Sequence, residues 1–249
     1  MDLGVAAVSL VAARYLAPEA AKLACGFMSR IAFPLGDEIG KDVGSLYRDF
    51  RKTNFLKAAA SAQKNLEAAG WTMGPLEMPH EFTFRVMEEA SKCENDRIQQ
   101  MWGGLMASVC KEKPKDGAEL LWVNLLSRMT PRQAVLLEWS ARETRVRREP
   151  NGAIETECLS LNSEIAAQLF PETSRFEVIG EVDQLKRAGL LHPAGEGDII
   201  EGMCAAATIS GLLLYKRSQG ETAQRIDPTP PGDKPRRVIN KCAPIARWG

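Results

Sequence analysis

The chain has 249 residues, 45 % apolar and 26 % charged, with 32 basic residues against 32 acidic ones. That length allows one large domain or two small ones, able to bury about 70–75 % of the surface the unfolded chain exposes. The charge balance excludes a general pull toward nucleic acid or anionic lipid, and two histidines, His80 and His192, are too few for a His-rich metal site.

Residues 3–30 are Ala-rich and helical in pattern, with a break expected near Pro18. The run LGVAAVSLVAARYLA lacks a basic flank and is shorter than the roughly 20 apolar residues that span a bilayer. A packed helix is expected here, and a helix lying on a membrane surface is the alternative. Pro34 opens a second segment, in which Gly36, Gly40 and Gly44 recur every fourth residue and could admit a neighbouring helix. Gly40-Lys41 is not a phosphate loop, because Asp42 stands where a Ser or Thr should hold magnesium. The helix continues through Arg48, Arg51 and Asn54, then Phe55, Ala59, Ala62 and Leu66, and stops at Gly70. Residues 71–79, WTMGPLEMP, form a loop.

Residues 78–110 read as two helices meeting at a short polar joint. In the second, Ile98, Met101, Trp102, Leu105, Met106 and Val109 make one helical stripe. Asn95 is placed to cap it and Asp96 to face its positive end. Gly103 and Gly104 each cost about 1 kcal/mol of helix propensity relative to Ala. A helix keeps such a pair where another backbone comes close, so this element is expected at the centre of a helical assembly. A polar break, KEKPKDG, and a short helix over 120–129 complete an all-helical first half.

The pattern changes at Thr130. Thr130-Pro131-Arg132-Gln133 is a capping box that opens a helix expected to reach about Arg148. Asn151-Gly152 is a turn, 153–161 a strand, 162–169 a helix stopped by Pro171. A second box, Ser174 to Glu177, opens a helix that ends at Gly189. A strand at 190–192, a turn over 193–197, a returning strand over 198–203 and a helix capped by Thr208 follow. This is the order of a winged helix-turn-helix module, with 174–188 in the recognition-helix place. From Gln219 the chain carries five of its 14 prolines and no apolar period. From Lys216 on, eight basic residues face three acidic ones, so the tail is basic and expected to be disordered.

The fold expected is therefore mostly α: a helical bundle over 1–129, a winged-helix-like α+β module over 130–218, and a tail over 219–249. The recognition-helix place is charge-neutral, with Arg175, Lys186 and Arg187 against Glu177, Glu181 and Asp183. Glu196, Asp198 and Glu201 on the wing would repel phosphates. Only Arg142, Arg145, Arg147 and Arg148 make a locally basic run. No GxSxG, HExxH or CxxC motif is present, so no catalytic residue, metal or cofactor is expected. The six cysteines are expected to be buried thiols in a reducing cytosol.

Three stretches together resemble one known family: LYRDFRKTNFLKAAASAQKNL, LEMPHEFTFRVMEEASKCENDRIQQMWGGLMASV and LLWVNLLSRMTPRQAVLLE. They are similar to the abortive-infection alpha family of bacterial proteins over residues 33–215. The features that carry the likeness are Arg48, Arg51 and Asn54; Pro79, Glu88 and Glu89; Asp96, Trp102 and Leu105; and Met129, Thr130 and Pro131. Gly103-Gly104 departs from the alanine expected after the Trp. The resemblance implies a bacterial cytoplasmic protein of phage defence and carries over no catalytic residues. Trp102 and Leu105 read as core. Arg48, Arg51 and Asn54 are interaction candidates, with helix capping or interhelical pairing as their structural alternative. A protein partner or self-association is expected; nucleic-acid binding through Arg142–Arg148 and the tail, and membrane association through 3–30, are the rivals.

Overall fold

The structure is a computed structural model, described over residues 12–14, 16–31, 45–112, 117–150, 153–193, 203–222 and 226, with side chains of 45–49 omitted. It divides into two compact units. One takes residues 1–129 and 216–223; the other takes 130–215 and 224–249. The glycine strip 36–44, the wing tip and nearly all of the basic tail lie outside the described residues.

The first unit is helical: α1 Pro18–Arg30, α2 Ser45–Ala68, α3 His80–Lys92, α4 Asp96–Glu112 and α5 Glu119–Ser127. Pro18 stands in the first turn of α1, where its missing N–H costs nothing. α2 ends in a left-handed glycine, Gly70 at φ 81°, with Trp71 N–H donating back to Leu66 O. The Arg30 side chain then pins the following loop. Its Nε donates to Gly74 O at 2.9 Å, and one terminal nitrogen to Trp71 O at 2.9 Å. Asn95 Oδ1 accepts from the N–H of Arg97 and of Ile98, so the expected cap of α4 is made.

α4 is the centre of this unit. Every residue from Met101 to Cys110 is buried. The glycine pair explains how. A Cβ on Gly103 would stand 2.4 Å from Ser61 Cβ and 2.7 Å from Ala58 O, both on α2. A Cβ on Gly104 would stand 1.8 Å from the carbonyl oxygen of Ser218. Each glycine therefore admits a different neighbour, α2 on one side and residues 218–220 on the other. Arg217 anchors that returning segment: it pairs with Glu112 and lies 5.6 Å over the Trp122 ring. No described helix is long and apolar enough to cross a membrane.

The second unit mixes short helices with two antiparallel ladders. α6 is Pro131–Glu143, β1 Val146–Arg148, β2 Ile154–Thr156, β3 Ser160–Leu161, α7 Ser163–Leu169, α8 Arg175–Arg187, β4 Met203–Cys204 and α9 Ile209–Ser218. β1 pairs with β2, with Arg147 opposite Glu155; β3 pairs with β4, with Ser160 opposite Cys204. Both capping boxes form with reciprocal bonds, Thr130 with Gln133 and Ser174 with Glu177.

Three expectations are corrected here. α6 stops at Glu143, not Arg148, because Thr144 turns extended and its Oγ1 accepts the buried Ala207 N–H at 2.9 Å. That bond fixes the chain for the β-branched Val146 to enter a strand. The strand expected over 153–161 is two strands in two ladders. The strand expected at 190–192 is a single bridge, Leu191 to Ala207. Close to that bridge, Gly211 lets α9 approach, since a Cβ there would meet Leu190 O at 2.1 Å. The cysteines also depart from expectation in one place. Cys158 is disulfide-bonded, and the free, buried thiol of Cys204 lies 3.2 Å from its sulfur, beyond bonding distance.

Candidate functional site

α3 ends at Lys92 and α4 begins at Asp96, so the last carbonyls of α3 lack helical partners. Side chains from α2 and α4 reach carbonyls of this last turn and of the joint after it. Arg51 donates to Glu88 O at 3.2 Å and to Ser91 Oγ at 2.9 Å. Asn54, only 4 % exposed, donates through Nδ2 to Ser91 O at 3.2 Å. From α4, Gln99 donates to Ala90 O at 2.9 Å and to Cys93 O. Its Oε1 has no partner among the described residues. Lys57, one turn beyond Asn54, pairs with Asp96 at 3.0 Å on the exposed rim.

This polar seam lies between apolar layers. Arg51, Asn54 and Lys57 are three residues apart, a spacing that lines up one face of α2. Arg48 occupies the preceding position of the same helix, and its side chain is not described. The acids of the same region are engaged too. Glu88 and Glu89 both accept from Lys92 of their own helix, and the Lys92 hydrogen bond holds the Glu88 carboxyl below the usual carboxylate range. Gln99 was not singled out from the sequence. The signal was available: a glutamine beside Ile98 on the buried side of an apolar stripe needs partners.

The basic run is spread over two elements. Arg142 sits on the last turn of α6, bonded to Glu138 at 2.7 Å and donating to Tyr215 Oη at 2.9 Å. Arg145 and Arg147 alternate along the strand and fall opposite acids. Arg145 O accepts the Glu157 N–H, Arg147 stands opposite Glu155, and Arg147 also pairs with the Glu157 side chain. Arg148 is exposed beside them. Of this run, Arg147 is matched by acids across the hairpin, while Arg148 stands opposite Ile154.

α8 carries a feature that sequence reasoning passed over. Val178, Val182 and Leu185 face the unit's interior. Phe176, two residues before the stripe begins, is 86 % exposed on the first turn. The signal was an aromatic off the stripe and flanked by Arg175 and Glu177. His192, next to the Leu191–Ala207 bridge, meets Thr156 Oγ1, and burial lowers its pKa below the ordinary histidine value. Among the described residues, no three His, Cys, Asp or Glu side chains are placed to hold a metal ion.

The architecture defines a mostly helical protein of two units, the first of which spends Arg51, Asn54 and Gln99 on joining helices. Its family follows from comparison with known proteins. The model of the abortive infection alpha family matches residues 63–203, more than half of the chain, and the chain belongs to that family. The match covers the central helix with Trp102 and Leu105, which are 1 % and 0 % exposed, and the Thr130 capping box. It begins after Arg48, Arg51 and Asn54, so those three residues lie outside it. No curated protein and no solved structure matches the chain.

Proposed function

We propose that the protein serves abortive-infection-type phage defence in a bacterial cytoplasm, without catalysing a reaction, by binding a protein partner through its second unit. Family membership supports the defence setting. The observation that carries the binding reading is Phe176, a large aromatic 86 % exposed at the start of α8. Exposed aromatics flanked by charge are the usual anchors of protein contacts. The module around α8 is winged-helix-like in this reading: α6, the hairpin, α7 and α8 in order, then a strand returning to β3. Its use for protein rather than DNA is supported by charge. Arg147 of the hairpin faces Glu155 and Glu157, and α8 carries as many acids as bases, whereas DNA affinity draws on unmatched Lys and Arg.

The test compares the tagged full chain with Phe176→Ser in the native host, with and without phage, nuclease-treated in parallel. The variant removes an exposed ring and is expected to melt within about 1 kcal/mol of the parent. The expected result is a nuclease-resistant protein captured by the parent, absent with the variant, together with loss of phage protection. Captured material that disappears on nuclease treatment and persists with Phe176→Ser would move the function to nucleic acid.

A further inference from the structure

Three helix ends meet around one cleft within residues of the first unit: those of α2, α4 and the last residues of α9. α2 closes on Gly70, α9 closes on Gly220 at φ 77°, and the last turn of α4 supplies Lys111. The cleft is open, offers about 580 Å³ and is lined by Asn65, Trp71, Lys111, Gly220, Glu221 and Thr222, with Ala68 and Ala69 at the end of α2. That volume is in the range of small-molecule sites.

The walls are held in place by bonds made elsewhere. Trp71 is fixed at both backbone groups, its N–H to Leu66 O at 2.8 Å and its carbonyl to Arg30 at 2.9 Å. The residue as a whole is 39 % exposed on that fixed backbone. Gly220 is pressed against α2, since a Cβ there would lie 2.9 Å from Asn65 Cβ. Lys111 Nζ donates to Gly220 O at 2.8 Å, which leaves two of its three N–H donors for a ligand. Burial lowers its basicity, and Glu221 acts on it through space in the opposite direction. Cation and carboxylate thus face the same space while the ammonium's hydrogen bond goes to a backbone carbonyl.

The electrostatics select a ligand. A polyphosphate would meet Glu221 and the negative ends of three helix dipoles. A simple cation would meet Lys111. A ligand carrying both charges satisfies both walls, and a flat apolar group covers the indole face. We infer that this cleft binds a small zwitterion with a flat apolar side group, the chemistry of an aromatic amino acid.

The test is isothermal titration of the full chain with L-phenylalanine, with hydrocinnamate (no ammonium) and with phenethylamine (no carboxylate). The expected result is saturable binding of L-phenylalanine, at least about tenfold weaker for each analogue lacking one charge. Trp71→Ala, Lys111→Met and the exposed Glu221→Gln should each weaken L-phenylalanine about tenfold while leaving the melting temperature near the parent's. If Lys111→Met fails to fold, the other two variants decide. Absence of saturable heat with L-phenylalanine at millimolar concentration would overturn the inference. So would equal affinity for hydrocinnamate, or competition by inorganic pyrophosphate, or Trp71→Ala binding as the parent does.

Discussion

Arginine does opposite things in the two units. In the first, Arg51 lies half-buried between helices and spends its donors on Glu88 O and Ser91 Oγ, at the frayed end of α3. In the second, Arg147 lies on a solvent-facing strand and meets Glu157 across a hairpin. Arg51 works beside Asn54, which answers a carbonyl, Ser91 O, buried from water, whereas Arg147 answers a charge that water already solvates. Burial decides the difference. An unmet buried carbonyl costs more than an unmade surface ion pair gains. α4 and the hairpin differ in the same way. α4 is hemmed in on both sides by backbone, whereas β1 exposes two of its three residues.

The largest test of this contrast is Gly104→Ala. Its Cβ would fall 1.8 Å from a backbone oxygen, which no side-chain rotation relieves. Helix propensity favours the change by about 1 kcal/mol. Overpacking opposes it, and a net loss of about 3 kcal/mol or failure to fold is expected in chemical denaturation. A gain in stability would mean that Ser218 does not pack on α4. Asn54→Ala comes next. It leaves Ser91 O without that donor inside the unit, and a loss of about 2 kcal/mol is expected. Hydrogen exchange should locate the effect at the α3–α4 joint; uniform protection there would contradict the seam. The smallest effect is expected from Arg147→Met. An exposed pair contributes about 0.5 kcal/mol, and the loss should shrink further in high salt. A salt-independent loss above 2 kcal/mol would make the hairpin resemble the seam after all.

The candidate residues were partly legible in advance. Arg48, Arg51 and Asn54 stand out through the family resemblance, within a charged stretch of helix. What Arg51 and Asn54 bond to was not legible, because Glu88 and Ser91 come 37 to 40 residues later. The acids that Arg147 of the basic run meets, Glu155 and Glu157, become its neighbours only when the hairpin closes. Phe176 and Trp71 drew no attention because a sequence pattern marks what is buried by periodicity and says little about which off-pattern aromatic stays exposed.

By itself, the sequence determined the helices and their starts. Thr130 with Gln133, Ser174 with Glu177, and Asn95 ahead of Ile98 all act over two or three residues, so local chemistry suffices. It also determined that α4 is central, through its apolar stripe and paired glycines. Tertiary structure decided where α6 stops, through the Thr144 bond to Ala207 N–H. It decided that the segment after Tyr215 rejoins the first unit, with Arg217 on Glu112 and Ser218 against Gly104. The physical reason is range: a cap is closed by its own turn of helix, while these contacts join residues more than 60 positions apart and exist only once the core is packed.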